Sequence, residues 1–188
     1  MSPRPSAREK MLDSFELLVV ADGERAATFD AVAAAAGVSK GGLLYHFPSR
    51  EALVDGVVDR LASLVDDDIH RMTTAPDGAV DYFIRTSSPP AVVAESPFDR
   101  CITAVAHLAS SGQWPRAVDA LIGMQSRWHE VVLEAVGDPA VARVVSLVSD
   151  GLYFGPGHSS SASGAGPDAE RAGIDDVIAV LRRLADGR

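Results

Sequence analysis

Apolar residues recur every three or four positions over most of this chain, with polar residues between them, which is the period of a helix buried on one face. Met11, Leu12, Phe15, Leu18 and Val19 predict a first helix from about Ser6 to Ala21, ended by Asp22-Gly23. Phe29, Val32, Ala33 and Ala36 mark a short second helix, and Leu43 and Phe47 a short third. Leu53, Val54, Val57, Val58, Leu61, Leu64 and Val65 then carry one stripe to about Met72. A brief helix around Val80, Phe83 and Ile84 is broken by Ser87-Ser88-Pro89-Pro90, and another through Phe98, Cys101, Ile102, Val105 and Leu108 closes at Ser111-Gly112. Pro115 opens a long helix through Leu121, Trp128, Val132 and Val136, ended by Gly137. Asp138-Pro139 begins the next, which carries Val141, Val145, Val148 and Leu152 to about Phe154. Positions 155 to 167 are low in complexity and read as a flexible loop, before a last helix with Ile174, Ile178 and Leu181. No period-two strand pattern occurs. The expectation is an all-α chain of about nine helices: an N-terminal three-helix domain over 1–50 and a C-terminal helical domain over 51–188.

The segment from Thr28 to Leu53 adds local signals that convert this pattern into a helix-turn-helix. Thr28 is placed to cap the second helix by accepting an amide hydrogen. Gly37 can take the left-handed conformation of the turn, Val38 plugs the angle, and Ser39 caps a recognition helix of about Lys40 to His46. Pro48 stops that helix by forcing the residue before it out of helical geometry, and Ser49 caps the next helix at Arg50. In such a motif Lys40, in the first turn, can reach base edges or phosphates of the major groove. Gly41 and Gly42 let backbone approach DNA, at about 1 kcal/mol of helix propensity each relative to alanine. Tyr45, His46 and Thr28 face the sugar-phosphate backbone, where contacts position without specifying.

The Thr28-Phe29 entry, Val32-Ala33, Ala36 to Gly41, the Tyr45-His46-Phe47 exit and Ser49 to Leu53 together resemble the TetR family of one-component transcriptional regulators, in particular members that repress drug-efflux or metabolic genes. The likeness is strong over the first quarter of the chain and rests on length and helical pattern beyond it. Two positions depart: family members often carry an aromatic residue where Leu44 stands and a hydroxyl or amide side chain where Gly42 stands. The resemblance implies a cytoplasmic homodimer that grips a palindromic operator of double-stranded DNA and answers a small-molecule effector. The DNA-facing set becomes Thr28, Ser39, Lys40, Gly41, Gly42, Leu44, Tyr45, His46, Ser49 and Arg50. It also implies dimerisation through the last two helices, about Pro139 to Phe154 and Glu170 to Asp186, and release of DNA when ligand tilts the helix that follows the motif.

Charge at first argues against a DNA binder, for the chain carries −9. Its distribution removes the objection. Residues 1 to 50 hold six basic and six acidic groups, so the excess acid lies entirely in the remainder, where it would repel DNA from the distal body and keep non-specific affinity low. With 47% hydrophobic residues the chain is not a disordered one, and neither a membrane span nor a secretory signal is evident. One cysteine, Cys101, permits no intrachain disulfide and reads as a buried apolar residue. The five histidines (46, 70, 107, 129 and 158) show no ligand spacing, so no metal, cofactor or catalytic residue is expected. The Asp66-Asp67-Asp68 run reads more simply as solvated charge at a helix end than as a cation site.

Helical projection places Gln125 and His129 inside the stripe of the helix from Pro115, and Asp68 between Leu61, Leu64 and Met72. Buried polar groups need partners, and a few of them converging on a cavity mark a ligand site. The candidate effector set is therefore Asp68, Gln125 and His129 with Trp128 and Phe98 as apolar wall, an inward carboxylate favouring a cationic or hydrogen-bond-donating ligand. The bland alternative is internal satisfaction within the core. A helical enzyme or binding protein that merely retains the motif is the alternative function, and it should show no salt-dependent affinity for a specific duplex.

Overall fold

The computed structural model describes residues 6–87, 95–154, 167–185 and 187. Among these it contains no strand and nine helices: α1 (Ala7–Asp22), α2 (Phe29–Ala36), α3 (Lys40–His46), α4 (Arg50–Thr73), α5 (Ala79–Thr86), α6 (Pro97–Ser110), α7 (Pro115–Val136), α8 (Pro139–Phe154) and α9 (Pro167–Ala185). Their starts are written in hydroxyl side chains. Ser6, Thr28, Ser39, Ser49 and Ser96 each accept the amide hydrogen of the residue three positions on, satisfying a donor that the first turn leaves open. α2 ends at Gly37, whose φ of +68° is the left-handed geometry that favours glycine; its N–H donates to the Ala34 carbonyl and that of Val38 to Ala33. Phe47, before Pro48, is extended at φ −135°. α9 starts at Pro167, three residues earlier than its apolar periodicity suggests, because a proline fits the first turn of a helix. The remainder of the expected loop, 155–166, and the expected break at Ser88-Pro89-Pro90 lie outside the described residues.

The chain forms two compact units. The first comprises Met1–Leu64 and Val93–Gly123, the second Val65–Val92 and Met124–Arg188, so α4 and α7 each contribute their first part to one and the remainder to the other. In the first unit α1 packs on α2 and α6, and α2 on α3. Met11, Leu12, Phe15, Val32, Leu43, Phe47, Leu53, Val57, Ile102 and Leu108 are all buried there. Burial of this kind is worth about 1.5–3 kcal/mol per large side chain before chain entropy is counted. Cys101 is fully buried as well; its thiol points to the Val57 carbonyl at 3.7 Å, and burial pushes the thiol pKa well up.

A cluster of charges is built into the same unit. Arg60 of α4 donates to Asp13 at 2.7 Å, to Glu16 at 2.9 Å and to Glu9, while Arg100 of α6 donates to Glu16 at 3.0 Å and Asp13 at 2.9 Å. Glu16 is fully buried, and burial raises its pKa against the opposing pull of the two guanidinium groups. Two forks laid across three carboxylates tie α1, α4 and α6 together, a geometry in which each partner depends on the others.

In the second unit Met72, Phe83, Ile84, Val132, Ala142, Val145, Ile178 and Leu181 form the core, with α5 packed on α8 and α9, and α8 on α9. Part of the apolar stripe of α8 and α9 is directed inward. Val145, Ile178 and Leu181 are buried, and Val141, Val148 and Leu152 pack against them. Among the described residues, the large apolar side chains left exposed on α8 and α9 are Val144, Leu147, Val180 and Leu184. Asp81 is buried between Arg85 and Arg182, and Ser87 and Ser149 share a buried hydrogen bond of 2.7 Å.

Candidate nucleic-acid interface

α3 is seven residues long and divides cleanly into two faces. Leu43 within it and Phe47 at its end are buried, whereas Lys40, Gly41, Leu44, Tyr45 and His46 are exposed. Tyr45 is 85% exposed and Leu44 41%, large side chains left open to solvent. The ring of His46 meets that of Tyr45 edge-on, with centroids 5.3 Å apart. An amide-satisfied, rigid helix presenting an aromatic, an aliphatic and a cationic side chain outward suits contact with sugar-phosphate and base edges. Thr28, Ser39 and Ser49 are exposed too; each hydroxyl accepts its capping hydrogen and keeps its own proton to donate outward.

The glycines behave differently from one another. A Cβ placed on Gly41 would meet only Ser39 Oγ, at 4.0 Å, and on Gly42 the same atom at 3.3 Å. The fold itself gives no reason to leave Gly41 bare. Gly56 of α4 is the opposite case, for a Cβ there would lie 2.9 Å from Phe47 Cε1 and 3.0 Å from Leu12 Cδ2.

Arg50 does not belong to the outward face. Its guanidinium donates to the carbonyls of Ala27 at 2.8 Å and of Glu24, pairs with the Glu24 carboxylate, and lies over the Phe15 ring. Those bonds satisfy carbonyls of the connection between α1 and α2, so the side chain is fixed within the fold. Trp114 donates its indole N–H to the same Glu24 at 2.8 Å. Lys40 is exposed, but it is paired: its ammonium lies 3.0 Å from Asp30 of α2.

In the second unit Asp68 is buried at 6% exposure, as its projection predicts. Its carboxylate accepts the Tyr82 hydroxyl at 2.7 Å and the Trp128 indole N–H at 2.9 Å, and Phe83 packs on Trp128 at 5.6 Å between centroids. Burial first, and the bond to Asp68 second, push the Tyr82 phenol up to about 12. His129 is half-buried with Nδ1 3.0 Å from Ser146 Oγ. Gln125 is exposed, not inward, since the buried face of α7 there is taken by Met124, and Trp128 turns toward Asp68. Phe98 is half-buried and belongs to the first unit, so the five candidate effector residues do not share one compact unit.

Asp30, Glu16, Asp81 and Tyr82 escape the sequence reading. For Glu16 a signal exists: with Leu12, Phe15 and Val19 it completes one helical stripe and so falls on the buried face of α1. Lys40, which pairs with Asp30, and Arg182, which pairs with Asp81, come from other helices and leave no such mark, whereas the Asp81–Arg85 pair has the i,i+4 spacing of one helix face. Among the described residues no group of three or more His, Cys, Asp or Glu could hold a metal ion, and no helix is long and apolar enough to cross a membrane.

A short outward-facing helix, capped by serine and held at a fixed turn from the helix before it, is the geometry of a helix-turn-helix. Residues 18–57 match the sequence model of bacterial regulatory proteins of the tetR family, so this segment is similar to the N-terminal helix-turn-helix domain of those regulators. Proteins of this family act as DNA-binding regulators, not as enzymes. Among solved structures, GusR of Salmonella enterica superposes with a TM-score of 0.63 at 17% identity, covering all of this chain and 97% of that one. The SCO7518 protein of Streptomyces coelicolor A3(2), described as a candidate transcriptional regulator, gives 0.61 at 21% identity over 94% of this chain and 98% of its own. The multidrug binding protein EbrR, complexed with imidazole, gives 0.50 at 19% over 94% and 95%. At these identities the likeness establishes the shared fold. No curated protein sequence matches the chain.

Proposed function

We propose that the chain works as a cytoplasmic homodimeric repressor that binds a palindromic operator and releases it when a small molecule binds. The outward face of α3 carries the reading: Lys40, Leu44 and Tyr45 stand exposed on a helix whose opposite side is locked by Leu43 and Phe47. Thr28, Ser39, Gly41, Gly42, His46 and Ser49 complete the contact set, and Arg50 acts within the fold. Val144, Leu147, Val180 and Leu184 supply an exposed apolar face on α8 and α9, suited to burial against a second copy. For the effector, Asp68 is the anchor: a buried carboxylate that accepts from Tyr82 and Trp128 beside the Arg71 guanidinium, with His129 nearby in sequence on α7, and that suits a cationic or hydrogen-bond-donating ligand. EbrR, of the same fold, binds multiple drugs. α4 supports the link between effector and DNA, because the helix that carries Asp68 also carries Gly56, which lies against Phe47 at the end of the recognition helix.

Fluorescence anisotropy with duplexes tiled across the DNA that flanks the protein's own gene tests this reading. Lys40→Ala should weaken operator binding by about 1–3 kcal/mol at fixed salt, and Tyr45→Phe should weaken binding on all sequences alike. Unchanged affinity in both variants would overturn the assignment of the outward face.

A further inference from the structure

The ion pair between Asp30 and Lys40 joins the first turn of α2 to the first residue of α3 across ten positions of sequence. Both side chains are largely exposed, at 73% and 56%, so the pair contributes little to folding. Its placement matters more than its strength. Lys40 carries the only positive charge among residues 28–49, and the carboxylate closest to it cancels that charge where a polyanion would approach. We infer that Asp30 is the residue that sets DNA affinity, holding the Lys40 ammonium in place and withholding one unit of phosphate neutralisation from binding. This rests on the DNA-facing assignment of Lys40. It adds that the head is tuned to bind all DNA weakly, so that contacts requiring fit decide where the protein stays.

Counterion release gives the test a number. Each phosphate neutralised by a protein cation contributes about −0.9 to the slope of log affinity against log salt. Released from Asp30, Lys40 should therefore add to that slope, beyond what its contacts to base edges contribute to operator affinity. The probe is a mixed-sequence duplex of about 30 base pairs, titrated with the full-length protein between about 50 and 200 mM salt. Asp30→Asn, which keeps side-chain size, should bind more tightly at low salt and steepen the slope by about 0.9, so that its advantage shrinks about 3.5-fold across that range. Asp30→Glu, which restores the carboxylate, should return the native slope. In a Lys40→Ala background the same Asp30→Asn change should leave the slope where Lys40→Ala alone puts it. A native slope in Asp30→Asn, with Lys40→Ala still weakening binding, would overturn the inference and leave the DNA-facing role of Lys40 standing. Steepening that persists without Lys40 would overturn it too, since Asp30 would then act on DNA directly. If Lys40→Ala changes neither affinity nor slope, the inference falls together with the assignment on which it rests.

Discussion

The recognition segment and the Asp68 cluster treat polar side chains in opposite ways. Around α2 and α3 each capping hydroxyl bonds a backbone amide only three residues away, and the longer side chains of α3 are left pointing outward. In the second unit Asp68 draws partners from fourteen and sixty residues along the chain and is closed over by them. The first arrangement leaves chemistry on the surface at little cost to stability. The second places it inside, where an unmatched group is expensive. One region leaves its side chains available at the surface, and the other engages them in internal bonds.

The charge cluster of the first unit offers the sharpest way to break this contrast, since it is the first unit's own example of interior chemistry. Arg60→Ala should destabilise the protein by about 3–5 kcal/mol in urea unfolding, because it strips Glu16 of one of two guanidinium partners while the carboxylate stays buried. A loss near that of an ordinary surface pair would show the cluster to be solvated.

Glycines give a second comparison, with opposite signs expected. Gly56→Ala should cost about 2 kcal/mol in the same assay, because its Cβ meets Phe47 and Leu12 and the gain in helix propensity does not cover the overlap. Gly41→Ala should instead raise stability, by up to about 1 kcal/mol, and lower DNA affinity if backbone must approach the duplex there. A Gly41 variant that is both more stable and fully active would remove close approach as the reason for the glycine.

A third comparison falls on Tyr82. Tyr82→Phe should cost about 1.5 kcal/mol at neutral pH through loss of its bond to Asp68. The phenol has its pKa raised to about 12 in the folded protein, against about 10 when unfolded. A raised acid pKa stabilises the fold fully below the unfolded value and loses that contribution as pH climbs through the folded one. Native protein should thus lose an increment of stability between about pH 10 and pH 12 that Tyr82→Phe lacks, and absorbance near 295 nm would follow the ionisation.

How much of this could be read beforehand follows from the range of each interaction. Thr28, Gly37, Ser39, Pro48 and Ser49 act within three or four residues, so the boundaries of α2 and α3 are legible in the chain. The burial of Cys101 and of Asp68 is legible as well, because helical projection reports which face a residue shares. Projection does not say who waits on the other side. It could not pair Lys40 with Asp30, direct Arg50 onto the carbonyls of Ala27 and Glu24, or turn Gln125 outward, because each outcome depends on a neighbouring helix or on which of two adjacent residues wins the buried face. Nor could it divide the apolar residues of α8 and α9, which fall on both sides of the helix and are sorted only by packing.

The concealment of Cys101 makes the protein convenient to interrogate. Its thiol is the only one in the chain, lies wholly in the interior and is held in its protonated form by burial, so it should stay silent toward aqueous maleimides and disulfide reagents while the fold is intact. A cysteine introduced on the exposed face of α8, as in Leu147→Cys, would then be the sole reporter. Cross-linking between two copies of that variant under mild oxidation would read proximity at that position without background from the native sequence.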